Sequence, residues 1–356
     1  MFEAKKWSVV YLFQLQYLKF ERIGSKVTFL ACRIHKESHE IVGHKLEQLD
    51  LSMLCQGEIL IQVHYSGVNY KDALAATGKG AILKRFPLNG GIDLAGIVES
   101  SSDKRFNIGD KVLVNGCGLG EIHDGGLSQY ARVPAEWVIP LPKGLSLKQS
   151  MILGTAGFTA ALAIHRMLIN DQTPDKGPIA VTGATGGVGS NAISILTGLG
   201  FETIAISGRS EHYSFVESLG ATKVCSAESL NLSSKPLDKA LYGGVIDNVG
   251  GQLFSKLVAH TQLWGNVASI GLADTHKYSS TVFPFILRGV SILGISSTNC
   301  PMPLRRKIWE RLGGDLKPKE LTNILTEEIK LKDVSSIFND LLNRKKHGRI
   351  VVNCLD

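Results

Sequence analysis

The chain has 356 residues, 44% hydrophobic and 20% charged, with 38 glycines against 11 prolines. That is the profile of a soluble protein with apolar material for two cores, and the glycine excess suits the tight strand-to-helix crossings of alternating α/β architecture. The formal net charge is +7, but residues 1–27 alone supply +3 of it through Lys5, Lys6, Lys19, Arg22 and Lys26 against Glu3 and Glu21, so the remaining body carries no electrostatic footprint for nucleic acid.

Residues 1–26 read as an appended extension outside the fold. The apolar stretch 7–13 is short, runs into Gln14 and Gln16, and is followed by no small-residue cleavage pattern. Nothing beyond it reaches the run of about 20 apolar residues that spans a bilayer, so no membrane partner is expected. Short apolar runs at 27–34, 58–65, 96–99, 111–114 and 128–133, broken by turn residues, predict a compact β-rich domain. Residues 151–168, alanine-rich and free of proline, predict a helix. Beyond Pro178 the texture becomes a βαβ series: strand 179–182, helix 188–200, strand 201–206, helix 214–220, strand 223–225, then apolar runs at 245–248 and 265–270. Such a series builds a doubly wound parallel sheet.

The cysteines, Cys32, Cys55, Cys117, Cys225, Cys300 and Cys354, are isolated, with neither a Cys-x-x-Cys pair nor a histidine at ligand spacing. Neither a disulfide framework nor a structural zinc is expected, and a reducing, cytoplasmic compartment fits. Two basic clusters, Arg305-Arg306-Lys307 and the group Arg344, Lys345, Lys346 and Arg349, read as solvated helix faces or turns.

The sharpest local signal is Val181-Thr182-Gly183-Ala184-Thr185-Gly186-Gly187-Val188-Gly189, set between a strand and a helix. A pyrophosphate needs bare backbone there. Gly183 permits the tight turn, Gly186 and Gly187 let N–H groups approach phosphate oxygens, and Gly189 lets the helix pack on the strand. A structural turn can use the same residues, but the βαβ context favours a dinucleotide. The second strand ends in Ile206-Ser207-Gly208-Arg209, with a guanidinium where an NAD site places a carboxylate. An arginine fork and a serine hydroxyl suit a 2′-phosphate, which makes NADPH the expected cofactor; the plain alternative is a solvated loop charge.

Further motifs carry a family resemblance. Asn69-Tyr70-Lys71-Asp72, Thr77-Gly78-Lys79-Gly80, Phe86-Pro87, Gly91-Ile92-Asp93-Leu94-Ala95-Gly96, Gly154-Thr155-Ala156-Gly157-Phe158-Thr159-Ala160, Ser218-Leu219-Gly220-Ala221 and Pro284-Phe285-Ile286-Leu287-Arg288 follow one another in order around the glycine turn. Together they resemble the acrylyl-CoA reductases of the quinone-oxidoreductase-like, zinc-free branch of the medium-chain dehydrogenase/reductases, over 27–352. The resemblance implies a GroES-like β-barrel catalytic domain at 27–150 and 298–356 and a Rossmann NADPH-binding domain at 151–297, in a homodimer. Zinc-dependent relatives carry a ligand cysteine where this chain has Asn69 and a His-Glu pair at Ile92-Asp93. Asparagine and isoleucine cannot replace those donors, so no metal is expected and conjugation must make the substrate electrophilic.

The implied reaction is reduction of the carbon–carbon double bond of acryloyl-CoA to propanoyl-CoA, with hydride from NADPH to the β-carbon and charge collecting on the thioester oxygen. Tyr70 is the first candidate, to hold the nicotinamide ribose or the reacting oxygen or to donate a proton. Asn69 and Lys71 would add donors, and Asp72 and Asp93 would orient them. Each has a structural alternative: a packed tyrosine with a wet hydroxyl, a helix-capping Asp72, an Asp93 bonded to nearby backbone. Thr185, Gly186, Gly187 and Val188 would meet the pyrophosphate, and Ser207, Gly208 and Arg209 the 2′-phosphate. Leu272, Ile286 and Ser297 would line the path to the nicotinamide. Arg344, where the family has an asparagine, joins the cofactor candidates, and the family's basic residue near Ala227 is missing. Lys79, Lys84 and Arg85 are candidates for the phosphates of CoA. The rival readings are an NADPH-dependent quinone or general enone reductase and an NADPH-binding protein without turnover.

Overall fold

The computed structural model describes residues 27–36 and 42–355; the expected extension at 1–26 lies outside them. The first part of the chain is antiparallel. β1 (Thr28–Lys36) and β2 (Val42–Asp50) form a long hairpin, extended by β4 (Leu88–Asn89). Beside it, β3 (Ile59–Val68), β5 (Asp93–Ser101), β6 (Lys111–Asn115), β7 (Tyr130–Val133) and β8 (Ile139–Pro140) make a second sheet. One helix, α1 (Tyr70–Thr77), interrupts them directly after β3. Alternation of buried and half-buried residues along β3 and β5 puts one face on a core of Ile59, Ile61, Val63, Leu94 and Val98.

The 23-residue helix α2 (Leu147–Ile169) then leaves this sheet and becomes the spine of the molecule. It is long and apolar enough to cross a membrane, yet most of it is buried inside the protein, against β3 and β5 on one side and the next domain on the other. Its helical geometry breaks at Gly154, where φ is 49° and ψ −154°, a conformation that glycine alone adopts without strain.

Parallel strands follow: β9 (Ile179–Thr182), α3 (Gly187–Gly198), β10 (Thr203–Ile206), α4 (Tyr213–Ser218), β11 (Lys223–Cys225), β12 (Tyr242–Asp247), α5 (Gly251–Ala259), β13 (Thr261–Ser269), α6 (Phe283–Arg288) and β14 (Ser291–Gly294). Their order in the sheet is β11-β10-β9-β12-β13-β14, all parallel. This is a doubly wound sheet whose direction of growth reverses between β9 and β12, the crevice where such sheets bind ligands. Buried Asp247 ties the two strand ends there: Thr182 Oγ1 donates to it at 2.7 Å and the Gly250 N–H at 2.8 Å.

After α7 (Met302–Leu312) and α8 (Leu321–Ile324), the chain returns to the first domain. β15 (Leu325–Lys330) pairs in parallel with β16 (Arg349–Asn353), α9 (Ser335–Leu342) lying between them in sequence, and β16 pairs antiparallel with β3. Sequence periodicity did not reveal β2, β14, β15 or β16. β15 alternates half-buried and exposed residues, and β14 is only four residues long at a sheet edge, so neither shows a continuous apolar run.

The two basic clusters require a correction, because each contains an arginine that is buried rather than solvated. Arg305 is fully buried: its guanidinium donates to the carbonyls of Asn115, Ser297 and Thr298 and stands 5.0 Å over the Phe158 ring. It shares the interior face of α7 with Ile308, Trp309 and Leu312, the i, i+3, i+4, i+7 pattern of an inward stripe. Arg349 is buried at the start of β16.

Candidate active site

The end of β3 feeds Asn69, the N-cap of α1, whose backbone is extended (φ −123°, ψ 159°). Asp72, three residues on, accepts from the Asn69 N–H at 2.8 Å and from the Ile92 N–H at 3.0 Å. Both halves of the Asn69 amide are committed. Its Nδ2 donates to Asp93 Oδ2 at 2.8 Å, and its Oδ1 accepts from Arg349 Nη1 at 3.0 Å. Asp93 also accepts from Thr155 Oγ1 at 2.6 Å and the Thr155 N–H at 2.9 Å. Arg349 Nε donates to the Ile152 carbonyl at 3.0 Å and Nη1 to the Val68 carbonyl at 3.1 Å, while Nη2 stands 3.9 Å from Asp93 Oδ2. Four chain segments, β3–α1, β5, α2 and β16, thus meet on one buried guanidinium.

Burial, then the Asp93 charge, pushes the Asp72 carboxyl up to about 7 against the N–H donors that pull it down. Burial lowers the Arg349 guanidinium, with Asp93 and Asp72 opposing it. Asp72 and Asp93 have essentially no solvent contact, so both are positioning groups, and Asp72 fills the capping role that was its structural alternative. Tyr70 differs. It is the first residue of α1 and 52% exposed, so it is free of the packing that its own structural alternative required. Lys71 is engaged: its Nζ lies 2.8 Å from Glu121 Oε1 and 3.4 Å from Thr298 Oγ1, joining the loop after β6 to the segment after β14.

On the other side of this hub lies the glycine turn. Gly183 has φ +59°, and a Cβ on Gly189 would sit 2.5 Å from the Gly183 carbonyl oxygen, so the turn and the helix start need both glycines. α3 begins at Gly187 with Gly186 as a cap that offers no side chain, which leaves its first N–H groups for a ligand. A Cβ on Gly187 would stand 3.1 Å from Arg349 Cδ, so the phosphate turn and the buried arginine are in contact. This nucleotide cradle and the Tyr70 cap are therefore held by one residue.

At the end of β10, Ser207 Oγ and Thr185 Oγ1 are 3.2 Å apart and Arg209 Nη2 donates to the same threonine hydroxyl. Arg209 Nη1 donates to the carbonyls of Arg344 (3.0 Å) and Lys346 (2.5 Å). Gly208 faces open space. Arg344, at φ +57°, extends its Nη2 to the Ala273 carbonyl at 2.7 Å, in the loop after β13 that also carries Leu272. Leu272 and Ile286 are exposed, Val188 is half-buried, and the Ser297 carbonyl is held by Arg305. Of the three basic residues expected at the CoA phosphates, Arg85 lines a cleft of about 550 Å³ shared with Arg33, Cys55 and His123.

Sequence reasoning missed Arg349 and Thr155 as site residues. Arg349 opens an apolar strand segment, Arg-Ile-Val-Val, and a lone charge there was the available signal. The fold is one that also holds zinc in some members, but the donor set here does not fit: among the described residues no three histidine, cysteine or acidic side chains gather, and the cation beside Asn69 and Asp93 is Arg349.

A β-rich domain built from both ends of the chain, a doubly wound sheet and a phosphate cradle at their junction define a nucleotide-dependent oxidoreductase of two domains. Residues 55–143 match the family model of the alcohol dehydrogenase GroES-like domain, and residues 187–312 that of the zinc-binding dehydrogenases. The chain belongs to the acrylyl-CoA reductase, quinone-oxidoreductase-like family of the medium-chain dehydrogenase/reductases. It is 42% identical to the acrylyl-CoA reductase AcuI of Ruegeria pomeroyi over 86% of this chain and 93% of that one. It is 43% identical to YhfP of Bacillus subtilis, which bears a quinone-oxidoreductase name, over 91% of this chain and 98% of that one. The solved structure of YhfP, with NAD bound, superposes with a TM-score of 0.89 at 42% identity, covering 92% of this chain and 99% of that one. The structure of Escherichia coli YhdH, with NADPH bound, does so at 0.86 and 40% identity, covering 91% and 99%.

Proposed function

We propose that the protein is an NADPH-dependent reductase of the carbon–carbon double bond of acryloyl-CoA. The observation that carries this reading is the contact between the glycine cradle and a hub of Asn69, Asp93 and Arg349, with Tyr70 as the exposed group beside it. The cradle fits a pyrophosphate, and the Ser207-Gly208-Arg209 corner fits a 2′-phosphate, a reading supported by the NADPH-bound structure of YhdH. NADPH when bound supplies a hydride. The chain's own part is to hold two ligands in register, exclude water and place a donor where charge develops on the thioester oxygen. Arg349 locks the Asn69 amide, the amide fixes the start of α1, and α1 presents the Tyr70 phenol as hydrogen-bond or proton donor. Arg85 with Arg33 offers guanidinium forks to the phosphates of CoA.

The quinone-oxidoreductase name of YhfP marks the competing substrate class. Oxidation of NADPH, followed by absorbance with acryloyl-CoA, crotonyl-CoA and a simple quinone in parallel, tests the assignment. Fast turnover with acryloyl-CoA is the expected result, and equal rates with quinone overturn it. We also infer a homodimer, because β14 leaves an open sheet edge and Trp264 beside it is 69% exposed at φ +56°. Its mass in solution checks this.

A further inference from the structure

Two imidazoles stand beside the corner assigned to the 2′-phosphate, and nothing above uses them. His212 follows Arg209 in one turn, its N–H donating to the Arg209 carbonyl at 3.1 Å. His347 precedes Gly348, whose N–H donates to the Thr185 carbonyl at 2.9 Å. The two rings stack with centroids 4.0 Å apart and planes at 25°, and Phe215 meets His347 edge-on at 4.7 Å. One ring comes from the nucleotide domain and the other from the segment that returns to the first domain, so the stack closes the outer wall of the corner.

Charges of both signs surround it. Arg209 and Lys346 approach on the cationic side. Glu211 lies 3.9 Å from His212, and Lys346 is balanced by Glu327 at 2.7 Å and Asp340 at 3.7 Å. Burial, then His212, Arg209 and Lys346, lower the His347 pKa, so in the absence of an anion that ring is neutral near pH 7. A dianion placed against Arg209 reverses the sign of the local field. His347 can then take a proton.

We propose that His347, stacked on His212, is a specificity-determining residue for the cofactor: it takes up a proton when the 2′-phosphate of NADPH docks, so that preference for NADPH over NADH is proton-linked. The proposal rests on the NADPH reading above. The phosphate's own titration, near pH 6, has the opposite signature, because a cationic site drives a proton off it. A coupling of one pKa unit corresponds to about tenfold in affinity.

The test is calorimetric titration of the full chain with NADPH and with NADH, between pH 7 and 8.5, in buffers of different ionisation enthalpy. The expected result is net proton uptake with NADPH and none with NADH, and an NADPH-to-NADH affinity ratio falling by up to about threefold between those pH values. In His347→Asn the uptake and the slope disappear, while NADH affinity stays as it was. His212→Asn, which removes the stacking partner, gives the same loss and serves in its place should His347→Asn fold poorly. NADPH binding with proton release, or with a ratio flat in pH, overturns the histidine proposal and leaves the reductase reading standing. Failure to bind NADPH at any pH overturns both.

Discussion

Replacing Arg349 by methionine tests the physical claim on which the site rests, that one buried guanidinium holds both halves of it together. Methionine keeps most of the volume and removes the charge and three hydrogen bonds, to the Ile152 and Val68 carbonyls and to Asn69 Oδ1. It also leaves Asp93 buried beside Asp72 with no cation. Breaking a buried ion pair from one side costs about 3–5 kcal/mol, since the surviving charge and acceptors stay desolvated. At roughly 2 °C per kcal/mol for a chain this large, the melting temperature falls by about 6–10 °C. Adding Asp93→Asn removes the orphaned charge while the amide oxygen still accepts from Thr155, so the double variant recovers at least about 1 kcal/mol of the loss. Urea and thermal melts of the wild type and the two variants measure both numbers. A loss under about 1 kcal/mol for Arg349→Met, or no recovery in the double variant, refutes the reasoning.

Gly154→Ala places a methyl 2.6 Å from Asp93 Oδ2 at a φ of +49°, so it destabilises by about 1–3 kcal/mol and shifts the melting curve accordingly. Tyr70→Phe removes only an exposed hydroxyl, so its stability in urea melts stays within about 0.5 kcal/mol of wild type, whereas kcat with acryloyl-CoA drops on the order of a hundredfold. Asp72 holds its proton in the folded state up to about pH 7 while the unfolded chain releases it near 4. Stability therefore falls as pH rises between those values, at up to about 1.4 kcal/mol per unit, and urea melts of Asp72→Asn show that slope flattened. Arg209→Ser raises the Kd for NADPH about tenfold or more in fluorescence titrations and changes the Kd for NADH far less.

Much of the nucleotide half was legible in the residues themselves. Local backbone rules sufficed for the glycine turn, because a strand, a positive-φ turn and a helix with bare N–H groups leave little choice of residue. The strands at 179–182 and 223–225 coincide with β9 and β11. The catalytic half was less legible. Asn69, Asp72 and Asp93 were named from their motifs, but that the three touch, and that Tyr70 alone of the four faces solvent, depends on β3, β5 and α2 converging.

Sequence by itself therefore determined the class of fold and the type of ligand, since both follow from patterns within a few consecutive residues. Only the tertiary structure decided what Arg305 and Arg349 do. A charge in a basic run looks solvated until the chain folds back and surrounds it with carbonyls, and the partners of Arg349 lie 197 to 281 residues away along the chain. Contacts at that separation leave no trace in local composition, because they are set by the packing of whole elements.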